Sequence, residues 1–271
     1  MAGVKNIDQL TVKGFGQEWS TINQEALSDA DRSEIFRQYF SLIDWSTRPR
    51  RTLDMGCGSG RWARLAAPLV EELVAADASP DALEVARRNV KADNVSFVEC
   101  TPDTLPFPDN SFDLIFSLGV LHHLPDTTAA IRSLAQKLQT GGTLLLYLYY
   151  AFDNRPTWFR ALWRVSDVAR RCISSLPFSL RYAVSQFIAL FVYWPLARMA
   201  KYLPVPKSWP LSIYADRSFY VMRTDALDRF GTRLEQRFTR QQITDMLQAA
   251  GLENICFSDT TPYWVCRASK P

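Results

Sequence analysis

The chain has 271 residues, 47% of them apolar and 22% charged, and a net charge of +3. That length and composition exclude wholesale disorder and suit one domain with additions or two small domains. A whole-chain charge this small selects no partner. The five cysteines, Cys57, Cys100, Cys172, Cys256 and Cys266, are odd in number and form no C-x-x-C pair. With no secretory pattern at the start, a reduced, cytoplasmic protein is expected. Two adjacent histidines leave little material for a metal site, and none is expected.

Residues 1–46 read as a helical arm ahead of the first strand. Arg51 to Met55 is a predicted strand that runs into a loop with Gly56, Gly58 and Gly60, and Trp62 to Leu69 a helix. Glu72 to Ala76 is a short apolar strand ending at Asp77. Ser79 and Pro80 open a helix to about Lys91, as N-cap and first helical residue. Val95 to Glu99 and Phe112 to Ser117 are strands three and four. Asp126 to Leu138 is helical and closes with Gly141-Gly142, before a fifth strand from Thr143 to Tyr149. Strands apolar on both faces that alternate with helices indicate a parallel sheet covered on both sides. Thr239 to Gln242 has a capping-box pattern; a helix to Ala250 and two strands, Leu252 to Ser258 and Tyr263 to Arg267, follow it.

The glycine loop between a strand and a helix suits a polar ligand, because glycine lets the backbone approach it and the helix N-terminus offers free N–H groups. A tight turn with no ligand is the competing reading. Asp77 stands where a carboxylate can accept both hydroxyls of a ribose; its plain alternative is a turn residue. Asp54, just before the glycines, would repel a pyrophosphate. S-adenosylmethionine has no phosphate and carries an ammonium and a sulfonium, which a carboxylate favours directly or through water.

The run Leu53-Asp54-Met55-Gly56-Cys57-Gly58-Ser59-Gly60, followed by Asp77, resembles the first two motifs of class I S-adenosylmethionine-dependent methyltransferases. Leu105 to Asp113 and Val120 to Asp126 are similar to the family's segments before and after its fourth strand. The likeness is to the broad subgroup, with a type 11-like domain, that methylates small molecules and lipids. It covers residues 48–150 well and 238–269 loosely. It implies a doubly wound, Rossmann-like α/β fold: a mostly parallel seven-stranded sheet with a helical N-terminal arm and a helical insertion after strand five. The expected division is arm 1–46, cofactor-binding core 47–150, lid insertion 151–237 and closing helix and strands 238–271. By the resemblance, S-adenosylmethionine is the cofactor. Gly56, Cys57, Gly58 and Gly60 would line its amino-acid and ribose portion, Asp77 bind the ribose, Ala78 pack on the adenine, and Ser117 and Leu118 close over the methionine end. The family often has an acidic residue after the third strand; here Thr101, Pro102 and Asp103 stand there. The adenine contact then falls to Thr101, Asp103 or backbone groups.

His122 and His123 follow the fourth strand, at the sheet edge where open α/β folds place ligands. Either is a candidate general base, with Tyr149, Tyr147 or Tyr150 as further candidates; packing of the next helix is the plainer reading. Phe15 and Trp19 of the arm are expected to shield the reacting methyl group or simply to pack on the sheet.

Residues 155–207 carry nine cations, Arg155 to Lys207, against the single anion Asp167, a net +8 that leaves the rest of the chain at −5. The stretch is rich in aromatics, Trp158 among them. Ala183 to Ala197 is almost wholly apolar. A membrane-spanning helix is disfavoured, because this run is short and contains Pro195. A substrate lid with Phe15, Trp19, Tyr147, Tyr150 and Trp158 over the pocket competes with a surface membrane contact. The expected acceptor is a hydrophobic small molecule or lipid methylated on O or N. Nucleic acid is not expected, since aliphatic side chains dominate between the charges and no Asn-Pro-Pro-aromatic motif is present. Two alternatives remain: a cyclase, isomerase or scaffold that keeps the cofactor, and a dinucleotide oxidoreductase.

Overall fold

A computed structural model describes residues 6–22, 28–206 and 209–271. Parts of the arm (1–5 and 23–27) and Lys207 lie outside the described residues. The chain divides into two compact units. One comprises the described residues of 1–24, 33–151 and 234–271; the other, those of 25–32 and 152–233.

The first unit is built on β1 (Arg51–Met55), β2 (Glu72–Asp77), β3 (Val95–Glu99), β4 (Phe112–Leu118), β5 (Leu138–Tyr147), β6 (Glu253–Phe257) and β7 (Val265–Ser269). Their order is β3-β2-β1-β4-β5-β7-β6. Neighbours from β3 to β5 pair in parallel, and β7 runs antiparallel to both β5 and β6. The central strands are buried on both faces, as their continuous apolar runs require: Leu53, Leu73, Ile115, Phe116, Leu144 and Leu146 are all sealed from solvent. The order reverses between β1, which leads outward to β2, and its other neighbour β4. In open α/β sheets that switch point is where a ligand crevice forms, at the carboxyl ends of the strands.

Arm helices α1 (Gln9–Thr21) and α2 (Asp29–Tyr39) precede the sheet. Asp8 caps α1 by accepting from Leu10 N at 2.9 Å. Helices α3 (Arg61–Ala66), α4 (Pro80–Asn89) and α5 (Thr127–Lys137) connect the parallel strands. Ser79 caps α4 with Pro80 at its first position. Strand β5 starts at Leu138, five residues earlier than expected, and contains Gly141-Gly142 rather than following them. Leu138 pairs with Phe112 and then the register shifts before Leu114, so the glycines sit in an irregular part of the strand.

The second unit is helical: α6 (Thr157–Ser174), α7 (Phe178–Ile188), α8 (Trp194–Tyr202) and α9 (Phe219–Gly231). Both α6 and α7 pack on α9. Two of the cations are structural here. Arg170 donates to Thr232 O at 2.8 Å and Arg181 to Gly231 O at 2.7 Å, satisfying carbonyls at the end of α9. Arg170 also binds Asp167 at 2.7 Å, with Arg171 at 3.0 Å on the other carboxylate oxygen. Burial would raise the Asp167 pKa, but the Arg170 bond and the charges of Arg170, Arg171 and Arg229 outweigh it and hold the group below the usual carboxylate range.

One sequence expectation is corrected here. Helices α7 and α8 join through a π turn (Ala189–Tyr193) into a single run, Phe178–Tyr202, of 25 residues. The run is long and apolar enough to cross a membrane. Pro195 does not end it: it follows the π turn directly, in the first turn of α8, and the helix runs on to Tyr202. The last helix, α10 (Arg240–Ala249), has the expected capping box between Thr239 and Gln242.

Candidate functional site

Three local features shape the crevice. The loop after β1 folds back because Gly56 N and Cys57 N both donate to Ala76 O, at 2.7 and 3.0 Å. The three loop glycines all have positive φ, from 53 to 83°. A Cβ on Gly56 would stand 2.4 Å from Val120, so here both the turn and the close approach demand glycine. Finally, Asp77 at the end of β2 grips the loop, with Oδ2 accepting from Gly58 N at 2.9 Å and Oδ1 from Ser79 N at 2.8 Å. Burial raises the Asp77 pKa, opposed by those backbone bonds.

Asp54 is fully buried behind the loop, and neither carboxylate oxygen has a hydrogen-bond partner. Burial, then the charge of Asp77, push its pKa well above the carboxylate range; the Ala63 backbone and Arg61 pull the other way. An orphaned buried carboxylate beside a glycine cradle is the arrangement a cationic ligand satisfies. The Cys57 thiol, also buried, has its pKa pushed well up and stays protonated.

The crevice has a volume of about 870 Å³, counting its open mouth. Of the sequence-predicted residues, Gly56, Cys57, Gly58, Asp77, Ala78, Thr101, Pro102, Leu118, His123, Phe15 and Trp19 line it. Helix α1 lies across the loop: Trp19 Nε1 would be 2.9 Å from a Cβ on Gly58, and Ser79 Oγ 2.7 Å from one on Gly16.

Other expectations are corrected. Gly60 does not line the crevice; it is the N-cap of α3, with a Cβ site 2.7 Å from Val90. Ser117 is buried and spends its hydroxyl on Met55 O at 2.8 Å, tying β4 to β1. Asp103 accepts from Thr101 Oγ1 at 2.6 Å and is not in the lining. Tyr147 packs edge-on against Tyr39, and Tyr150 against Tyr263 and Trp264; neither reaches the crevice. Trp158 belongs to the helical unit and is 49% exposed.

The histidines separate into two roles. His122 is fully buried, stacked 3.8 Å from the Tyr149 ring, and outside the lining. Its Nδ1 accepts a long bond from Tyr149 N at 3.4 Å, and burial, His123 and Arg237 lower its pKa far enough to keep it neutral. Tyr149 is held between that ring and the Arg237 guanidinium, 4.9 Å from its centroid. His123 alone of the three faces the crevice. Its Nδ1 lies 2.7 Å from Leu234 O, an acceptor only, so Nδ1 carries a proton and, in the neutral ring, the buried Nε2 holds the lone pair.

Sequence reasoning missed Thr11, Arg61, Trp62 and Val120 in the lining. The signal for Thr11 was present, because Thr11, Phe15 and Trp19 recur every fourth residue along one helix face. Arg61 opens the helix after the glycine loop, a position whose cation reading composition alone does not suggest.

This sheet order, with an antiparallel β7 and a glycine loop at the β1–β4 switch point, is the fold of class I methyltransferases. A methyltransferase-domain family model matches residues 53–146. Over 107 residues the chain is 38% identical to an uncharacterized methyltransferase, YcgJ, of Bacillus subtilis, covering 38% of this chain and 42% of that one. It is 36% identical over 119 residues to the ubiquinone/menaquinone biosynthesis C-methyltransferase UbiE of Shewanella baltica, covering 41% and 47%. The chain thus spans less than half the length of these relatives. Among solved structures, magnesium protoporphyrin IX methyltransferase of Synechocystis matches 97% of this chain and 96% of its own, with a TM-score of 0.55 at 14% identity.

Proposed function

We propose that this protein is a cytoplasmic S-adenosylmethionine-dependent methyltransferase that moves a methyl group to an O or N atom of a hydrophobic small molecule or lipid-like acceptor. The observation that carries the reading is the pair of carboxylates around one glycine cradle: half-buried Asp77, bonded to the loop, and fully buried Asp54, whose oxygens lack a hydrogen-bond partner. The residues fit the cofactor's two ends, since Asp77 retains lone pairs for two ribose hydroxyls and Asp54 offers a negative charge to an ammonium. Bound there, S-adenosylmethionine supplies an electrophilic methyl group on a good leaving group.

The chain's own residues then have three tasks. Phe15 and Trp19 of α1 exclude water from the crevice. Leu118 and Val120 hold the acceptor's path narrow enough for alignment, which can contribute much of the acceleration in a direct displacement. His123 Nε2 accepts the proton that an O or N acceptor releases, while its Nδ1–H stays anchored on Leu234 O. His122 and Tyr149 support that ring from behind, His122 at 4.0 Å and Tyr149 at 5.6 Å between centroids.

Because UbiE is named for carbon methylation, carbon is the second acceptor atom to consider. The deciding experiment supplies the full chain with S-adenosylmethionine and lipophilic extracts and follows release of S-adenosylhomocysteine. The methylated atom is then read from the product by mass spectrometry and NMR. Tight cofactor binding with no release under any extract would instead favour a cyclase, isomerase or scaffold.

A further inference from the structure

Seventeen large apolar side chains stand exposed among the described residues, and sixteen of them belong to the helical unit; only Leu10 does not. Soluble proteins rarely leave so concentrated an apolar surface bare. On α6, Trp158, Leu162 and Val165 follow one another at helical spacing and are 49, 49 and 69% exposed, while Asp167, Arg170 and Ser174 fill the opposite, buried face. Arg160, Arg164 and Arg171 run along one flank between the two faces, all three exposed. The run Phe178–Tyr202 repeats the pattern. Leu180, Phe187, Phe191 and Trp194 form an outward stripe, and Arg181, Ser185 and Ala189 an inward, buried one.

The inward stripe decides how such a helix can meet a bilayer. Arg181 donates to Gly231 O, and Gln186 accepts from Arg223 Nε at 2.7 Å. Crossing the membrane would strip the run of these partners and expose polar groups to hydrocarbon. Lying in the interface keeps them and buries the outward stripe. The arginine flank selects the partner. Self-association through the α6 face would bring one row of guanidiniums against another, whereas anionic headgroups supply the opposite charge, with the stems of Arg160 and Arg164 lying along the apolar boundary.

We infer that the helical unit docks in the plane of an anionic lipid bilayer. The outward faces of α6 and of Phe178–Tyr202 enter the acyl boundary, and Arg160 and Arg164 engage lipid phosphates. This inference stands apart from the methyl-transfer reading and is tested without turnover.

The test is co-sedimentation of the full chain with vesicles of phosphatidylcholine alone or with phosphatidylglycerol added. The wild type should pellet with the anionic vesicles and lose at least tenfold in partitioning on neutral ones or at high salt. Val165→Glu with Phe191→Glu should cost at least tenfold on anionic vesicles. Arg160→Gln with Arg164→Gln should cost several-fold there and little on neutral ones. All four sites are exposed, so the melting temperature should be retained; calorimetric S-adenosylmethionine binding provides a second check of the fold. Wild-type protein that stays in the supernatant overturns the inference, as does folded Val165→Glu/Phe191→Glu protein that pellets like the wild type. Resistance of bound protein to alkaline extraction overturns the in-plane geometry. A dimer in sedimentation velocity that the acidic substitutions dissociate, without vesicle binding, assigns the face to a second copy instead.

Discussion

Asp54→Asn should move stability and ligand affinity in opposite directions, which no purely structural role for Asp54 predicts. The substitution keeps the shape and removes a buried carboxyl whose oxygens have no hydrogen-bond partner. In the ligand-free protein the Asp54 pKa lies well above 3.8, chiefly through burial and then the charge of Asp77. A raised folded pKa means the folded state holds a proton that the unfolded chain has released. The stability from that proton is complete below pH 3.8 and is lost as the pH rises through the folded value. The slope across that window is about 1.4 kcal/mol per pH unit. Asp54→Asn lacks this slope, so its melting temperature should exceed the wild type's by a margin that widens from acid toward neutral pH. Asp77 is also raised, but it is present in both proteins and cancels in the difference. With S-adenosylmethionine the sign reverses. Leaving a buried cation without its partner costs about 3 kcal/mol, roughly 100-fold in Kd. The ammonium should also draw the Asp54 pKa down, so wild-type binding should release protons, seen as a dependence of calorimetric enthalpy on the buffer's ionisation enthalpy. Equal melting curves at every pH, together with a Kd within threefold of wild type, would refute the placing of the ligand's positive end over Asp54.

Asp77→Ala should weaken S-adenosylmethionine binding by about 100-fold in calorimetry, since bonds to a charged acceptor contribute roughly 1.5–3 kcal/mol each. Gly56→Ala should lower the melting temperature and abolish binding, because its Cβ would meet Val120 at 2.4 Å; Val120→Ala in the same chain should restore part of the stability but leave the cost of φ at +83°. His123→Gln should reduce kcat for an O or N acceptor by roughly 10²–10⁴ while leaving the cofactor Kd unchanged, whereas Tyr150→Phe should be silent. Asp167→Asn should destabilise the protein at neutral pH by about 3 kcal/mol in denaturant unfolding, leaving Arg170 buried without its partner. The Asp167 pKa is depressed, so that contribution is present above pH 3.8 and disappears as the pH falls through the folded value.

How far the sequence could be read depended on how local the cause was. Strands β1, β2 and β4 were legible because burial on both faces leaves unbroken apolar runs such as Leu114 to Phe116. Caps at Ser79 and Thr239 were legible because each is a bond within four residues. Gly60 and Ser117 were misassigned for the converse reason. A motif fixes backbone course but not which residue faces the ligand, and both are spent on bonds or packing to distant strands and helices. The two histidines show the limit most sharply. They are adjacent and chemically identical, and in sequence nothing separates them. What separates them is that Leu234 O, 111 residues away, takes the Nδ1 proton of His123, while the Tyr149 backbone donates to His122. The Nδ1 proton of His123 is held by a strap, residues 234–238, that lies beside Tyr149 and Tyr150.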